Sequence, residues 1–172
     1  MDELILIIPT LEHKKDAMEM RKEWLDFEGK NIHGSVGFHH YDNYEDWLDN
    51  VEKSRNNQNI RLKVPASQYF GVYNNRIVGT INIRHYLNDE LLKHGGHIGY
   101  GVRPSERRKG YAAKMLALAL EECRRLGIVR VLITCDKDNI GSARTIQKNG
   151  GILENEITDD NGEVIQRYWI DI

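Results

Sequence analysis

The stretch from His97 to Leu126 allows few structures. "HIGYGVRP" alternates as a short strand and stops at Pro104. Four cations, Arg103, Arg107, Arg108 and Lys109, then crowd ahead of Gly110. Ala112, Leu116, Ala119, Cys123 and Leu126 recur at helical spacing until Gly127. The next segment, "VRVLITC", is apolar on both faces and belongs in a sheet interior with helices over it. Strand, helix and buried strand in succession demand a layered α/β fold. In a chain of net charge −2, so dense a cationic turn before a buried helix needs a reason.

The flanking segments extend the pattern. "ELILIIPT" reads as a buried strand ended by Pro9. "LEHKKDAMEMRKEWLDFEG" reads as an amphipathic helix with Leu11, Ala17, Met20, Trp24 and Phe27 inward and Gly29 at its end. Residues 30–42 lose the pattern and read as a loop. "NYEDWLDNVEKSR" is a second helix with Trp47, Leu48 and Val51 inward. "QYFGVY" and "RIVGTINIRHYL" form a hairpin about Asn74-Asn75, with Ile77, Ile81 and Ile83 on one face. "NIGSARTIQKNGG" is a short helix capped by Asp138 or Asn139 and stopped at Gly150-Gly151. Two last strands meet at Asp160-Asn161-Gly162. The expected order is β-α-α-β-β-β-α-β-α-β-β in one domain over 1–172: an α/β fold with a mixed, mostly antiparallel central sheet and flanking helices.

Composition removes several classes. With 40% hydrophobic and 29% charged residues the chain matches ordinary soluble domains, without the basic excess of a nucleic-acid binder. Leu4–Ile8 is too short to span a membrane and lacks the basic flank of a signal peptide. Two cysteines make no disulfide framework. The expectation is a cytoplasmic protein with neither nucleic acid nor membrane as partner.

The first turn of a helix offers unpaired N–H groups and the positive end of the macrodipole. Gly110 lets a ligand approach that backbone, and Arg107, Arg108 and Lys109 supply countercharge. The combination suits a phosphorylated anion, best a diphosphate. The G-x-x-x-x-G-K-[ST] loop is absent, and "GYGVRP" places Pro104 where a dinucleotide fingerprint needs its third glycine.

The turn Arg107-Arg108-Lys109-Gly110-Tyr111-Ala112 resembles the [Q/R]-x-x-G-x-[G/A] signature of the GNAT acetyltransferase superfamily. Asn139, Ser142, Lys148 and Gly150 resemble that superfamily's N-x-x-[S/A]-x-x-x-x-x-K-x-G segment. The likeness is close over about residues 95–155, and element order extends it along the chain. It implies the acyl-coenzyme A N-acyltransferase fold, acetyl-coenzyme A as donor, and an N-acetyltransferase acting in a ternary complex. It implies a cofactor-binding set of Gly101, Val102 and Arg103 on the strand, Arg107, Arg108, Lys109, Gly110, Tyr111 and Ala112 in the turn, and Asn139, Ser142 and Arg144 beyond. It also implies a strand splayed from its neighbour; the last strands often pair between subunits in the superfamily, which leaves a homodimer open.

Acyl transfer needs a neutral amine, donors for the oxyanion and an exit for the thiolate. His97 is the candidate base, with His85 and Glu106 as alternatives; the competing reading of His97 is a histidine at a strand start that hydrogen-bonds a backbone carbonyl. The Val102 N–H is the candidate oxyanion donor. The tyrosine that many superfamily members place on the helix after Asn139 falls at Ile146 here, so either Tyr168 is the acid or the thiolate leaves unassisted. By resemblance the segment between the first two helices borders the acceptor, and Phe38, Tyr41 and Asp42 suit a small-molecule or peptide amine that is cationic. For Tyr41 and Asp42 an amphipathic helix start explains the residues equally well. His33, His39, His40 and Asp42 lack H-E-x-x-H spacing, so no metal is expected. Cys135 reads as packing. The rival reading is a non-catalytic coenzyme A binding or regulatory module, which the missing tyrosine favours.

Overall fold

The computed structural model describes residues 3–58, 61 and 63–172. In chain order the elements are β1 (Ile5–Ile7), α1 (Lys14–Glu28), α2 (Tyr44–Arg55), β2 (Ala66–Tyr73), β3 (Arg76–Arg84), α3 (Asp89–Lys93), β4 (Ile98–Val102), α4 (Tyr111–Arg125), β5 (Arg130–Asp136), α5 (Ile140–Lys148), β6 (Ile152–Thr158) and β7 (Val164–Asp171). The α/β class and the element order follow the sequence pattern, with one addition. α3 is a single turn whose only buried residue is Leu91, too short for a periodic signal, and the Asn88 side chain caps it by accepting from the Leu91 N–H (2.9 Å).

The strands form two antiparallel sheets rather than one continuous one, β1-β2-β3-β4 and β5-β7-β6, abutting where β4 meets β5. α1 and α2 cover one face of the larger sheet through Met20, Trp24, Phe38, Trp47 and Phe70. α4 covers the other through Met115, Leu116, Ala119 and Cys123, packed on Ile81, Ile83, Ile98 and Ile133. β1 corrects its expected burial: Ile5 is exposed and Leu6 and Ile7 only half-buried, because β1 is the sheet's edge strand.

The shared face expected of Ile77, Ile81 and Ile83 also breaks. Gly71 pairs with Gly79 and Val72 with Ile77, leaving Val78 extra on β3. One bulged residue reverses the side-chain alternation. Ile77 therefore packs beneath α1 and α2, while Val78, Ile81 and Ile83 face α4.

Candidate active site between the two sheets

Register decides which way the backbone of β4 faces. The Arg84 N–H donates to the His97 carbonyl (2.7 Å) and the Arg103 N–H to the Val78 carbonyl (2.8 Å). With β3 and β4 antiparallel, these bonds turn the His97 carbonyl and the backbone groups of Gly99, Gly101 and Arg103 to β3. The N–H and C=O groups of Ile98, Tyr100 and Val102 point the other way, toward β5, with which β4 forms no ladder. The strands touch at one end, where the His97 N–H donates to the Leu132 carbonyl (2.7 Å) and the Leu132 N–H donates to His97 Nδ1 (2.9 Å). The result is a wedge between the sheets, sealed by His97 and lined on the β4 side by unladdered amides.

That seal gives His97 a different task from general base. Its Nδ1 lone pair is engaged, so the neutral ring carries its proton on Nε2. Burial, helped by the nearby Arg84 charge, pushes its pKa down to about 4. The side chain is a structural pin. His85, the alternative, is bonded through Nε2 to Ser67 Oγ (2.7 Å), and Glu106 is paired with Arg76 and Lys109 (2.9 and 2.8 Å).

The cationic turn lies at the wedge's mouth, and its side chains are largely committed elsewhere. Arg103, expected at the cofactor, is buried and paired with Asp16 and Glu23 of α1 (2.7 Å each). Strand alternation turns it to the α1 face, and the two carboxylates neutralise the charge its burial strands there. Arg107 pairs with Glu28 (2.6 Å), lies over the Trp24 and Phe27 rings (5.4 Å to each centroid) and donates from Nε to the Val102 carbonyl (3.0 Å). Lys109 is held by Glu106. Arg108 is exposed and has no ion pair among the described residues. The Tyr111 ring packs inward against Tyr73, and the residue is buried.

The backbone of the turn is open. Arg108 (φ 63°) and Gly110 (φ 80°) are both left-handed, and no side chain caps α4. Alternating conformations of this kind curl successive N–H groups into an anion-binding nest. The first N–H of α4 to bond back is that of Lys114, to the Gly110 carbonyl (3.3 Å), so those of Tyr111, Ala112 and Ala113 stay unpaired within the helix. A β-carbon on Gly110 would meet nothing within 4 Å. Gly101 has a different purpose: its missing side chain makes room for the Trp24 ring, 2.5 Å from where a β-carbon would stand.

α5 and β7 close the wedge's far wall. Asn139 caps α5 through the Ser142 N–H (3.1 Å). Ser142 Oγ bonds the Tyr100 hydroxyl (2.7 Å), which reaches across from β4. Burial pushes the Tyr100 pKa up to about 12. Tyr168 is buried, and its hydroxyl donates to Gln166 Oε1 (2.9 Å). Ile146 is packed in the core. Arg144 is exposed, without an ion pair among the described residues. Cys135 is buried, and burial raises its thiol pKa. Tyr100 escaped the sequence reading because its neighbours on α5 lie 42 residues away.

The segment between α1 and α2 also differs from expectation. Phe38 is core, stacked on Trp47 with centroids 4.3 Å apart, because the 3-10 turn it begins directs it beneath α2. Asp42 points to solvent and pairs with Arg21 (3.2 Å). Tyr41 does line a cleft of about 330 Å³, together with His33, His39 and His40 from its own segment and Asn82 and Arg84 from β3. No metal-holding group of His, Cys, Asp or Glu occurs among the described residues.

Residues 20–151 match the family model described as "Acetyltransferase (GNAT) family". The chain is 34% identical over 77 residues to "Uncharacterized N-acetyltransferase YjdG" of Bacillus subtilis (strain 168), a match covering 42% of this chain and 40% of that protein. The chain thus spans well under half the length of that curated relative. Among solved structures, the fold resembles the microcin C7 self-immunity acetyltransferase MccE in complex with acetyl-CoA and AMP (TM-score 0.70, 20% identity, covering 100% of this chain and 94% of that one). It also resembles RimL, the ribosomal L7/L12 α-N-protein acetyltransferase, in complex with coenzyme A (TM-score 0.72, 19% identity, 98% and 94%). Both likenesses are of fold.

Proposed function

The chain belongs to the acetyltransferase (GNAT) family, and from that membership we propose that it moves the acetyl group of acetyl-coenzyme A to a primary amine within a ternary complex. The carrying observation is the wedge: the outward amides of Ile98, Tyr100 and Val102 lead directly to the uncapped nest of α4. A diphosphate held by the main chain from Arg107 to Ala112 would direct the pantetheine arm along β4, whose free amides match the arm's own. Arg108 supplies the exposed cation, and Asn139, Ser142 and Arg144 border the other side. Of the expected cofactor set, Arg103 drops out, and Arg107, Lys109 and Tyr111 contribute through their backbone. We read 1–172 as one catalytic domain, placed in the cytoplasm. No helix among the described residues is long and apolar enough to cross a membrane.

In this reading a neutral amine attacks the thioester carbon, and the oxyanion accepts from an outward β4 N–H, that of Val102 or of Tyr100 deeper in the wedge. The C–S bond breaks as the C–N bond becomes an amide. With His97 engaged, the proton shed by nitrogen passes to solvent or to the departing sulfur. Tyr100, whose hydroxyl crosses from β4 to Ser142 of α5, is the candidate donor to that sulfur. Tyr100→Phe should lower kcat by about tenfold with acetyl-coenzyme A affinity retained. That is less than the usual ~10²–10⁴ for general acids, because a thiolate is already a competent leaving group.

Calorimetry with acetyl-coenzyme A, followed by thiol release over an amine panel, tests the proposal. Donor binding without turnover on any amine would favour the coenzyme A binding module, the reading that Ile146 supports. Absence of donor binding would overturn both. The free edge of β6, with Ile152 and Leu153 exposed, supports a homodimer.

A further inference from the structure

The cleft beside the α1–α2 segment has a sign opposite to that expected for a cationic acceptor. Among the described residues its lining carries the basic side chains His33, His39, His40, Arg61 and Arg84 and no aspartate or glutamate. The two buried arginines have carboxylates, Arg103 with Asp16 and Glu23, Arg167 with Glu154, whereas Arg84 is half-buried with its Nε fully enclosed. Arg84 has none among the described residues. Its Nη1 donates to the carbonyls of Gly95 (3.0 Å) and Gly96 (3.4 Å), and its Nε is buried with no hydrogen-bond partner among the described residues. Holding a guanidinium out of water without a counterion is costly, so such a site is suited to take its anion from a ligand. The positive field registers on His39, held below the usual histidine range by burial and by the charges of His40, Arg61 and His33.

Placement connects this cleft to the wedge. Arg84 Nη2 lies 3.3 Å from where a β-carbon of Gly99 would stand. Gly99 immediately precedes Tyr100, whose N–H faces the thioester channel. An anion on Arg84 would therefore lie beside β4 at the residue that precedes Tyr100 in the chain. At about 330 Å³ the cleft falls at the small end of ligand sites and fits an amino-acid-sized molecule.

Resting on the acetyltransferase reading, we propose that the acceptor is a small amine bearing an anionic group, carboxylate or phosphate, a few bonds from its nitrogen, and that Arg84 receives that group in the cleft formed with His33, His39 and His40. Arg84 then determines specificity by orienting the amine toward β4.

The test is thiol release from acetyl-coenzyme A with matched acceptors: β-alanine against its amide, aminoethyl phosphate against ethanolamine, and spermidine as the cationic control. The anionic member of at least one pair should exceed its neutral partner by about tenfold or more in kcat/KM, and which pair responds separates carboxylate from phosphate. Arg84→Gln should cancel that ratio through KM. His40→Glu, at an exposed rim position, should lower it several-fold without entering the core. Equal rates within both pairs, or preference for spermidine, would overturn the proposal while leaving the acetyltransferase reading intact. A measurement independent of turnover is calorimetry with N-acetyl-β-alanine and its amide, and with N-acetylaminoethyl phosphate and N-acetylethanolamine. An anion should bind where its neutral counterpart does not, and no difference in either pair would also overturn it. Failure of acetyl-coenzyme A itself to bind would count against the donor site, not the cleft.

Discussion

Gly110→Asp should weaken acetyl-coenzyme A binding by about 100-fold or more while the protein stays folded. The position is left-handed (φ 80°), a region that aspartate and asparagine enter more readily than other side chains. Space above it is open, so a new side chain collides with nothing. What changes is the ligand's landing place. A carboxylate would stand among the N–H groups meant for a diphosphate, repelling the ligand and occupying the nest itself. Gly110→Asn separates the terms, since it shares the shape and the conformational tolerance without the charge. It should lose far less affinity. Calorimetry reads the binding and thermal unfolding reads the fold. An unchanged dissociation constant in Gly110→Asp would place the diphosphate elsewhere.

Acid should destabilise the protein through His97. In the unfolded chain this imidazole titrates near 6.5, and in the folded protein burial and the Arg84 charge lower it to about 4. Between those values the unfolded state binds a proton that the folded state refuses, so stability falls as pH drops through the window. The total for this one group is about 3 kcal/mol, fully lost below pH ~4. The retained term is the bond from the Leu132 N–H, which needs the neutral ring. His39 and His85 are also held low, chiefly by burial, and add in the same direction. Denaturant unfolding at pH 7 and pH 4.5 measures the loss. His97→Gln keeps an acceptor for Leu132 but cannot titrate, so its stability should fall less across the window. Parallel pH dependence in variant and parent would exclude His97 as the source.

The same histidine shows where sequence reading stops. A histidine opening a strand beside the presumed site has the ordinary pKa of a base. Only the fold reveals that Nδ1 is spent on a residue 35 positions away. The cations behave likewise. "RRKG" announces an anion site, and the turn does present its amides. Yet Arg103 and Arg107 neutralise Asp16, Glu23 and Glu28 of α1 rather than a ligand. Phe38 and Asp42 beside Tyr41 suggested an acidic, aromatic acceptor pocket. Folding sent the first into the core and the second to solvent, and brought Arg84 in from β3.

Spacing and turn chemistry by themselves determined the hairpin at Asn74-Asn75, the strand–turn–helix around Gly110, the Asn139 cap and hence the layered architecture. Each of these is decided within a few residues, where sterics, capping and apolar period act without reference to the rest of the chain. Tertiary structure alone decided the Val78 bulge, which amides of β4 are free, which cations are spent and which side chains line the cleft beside Tyr41. Those depend on pairings between residues tens of positions apart, and on a desolvation cost that exists only once packing has removed the water.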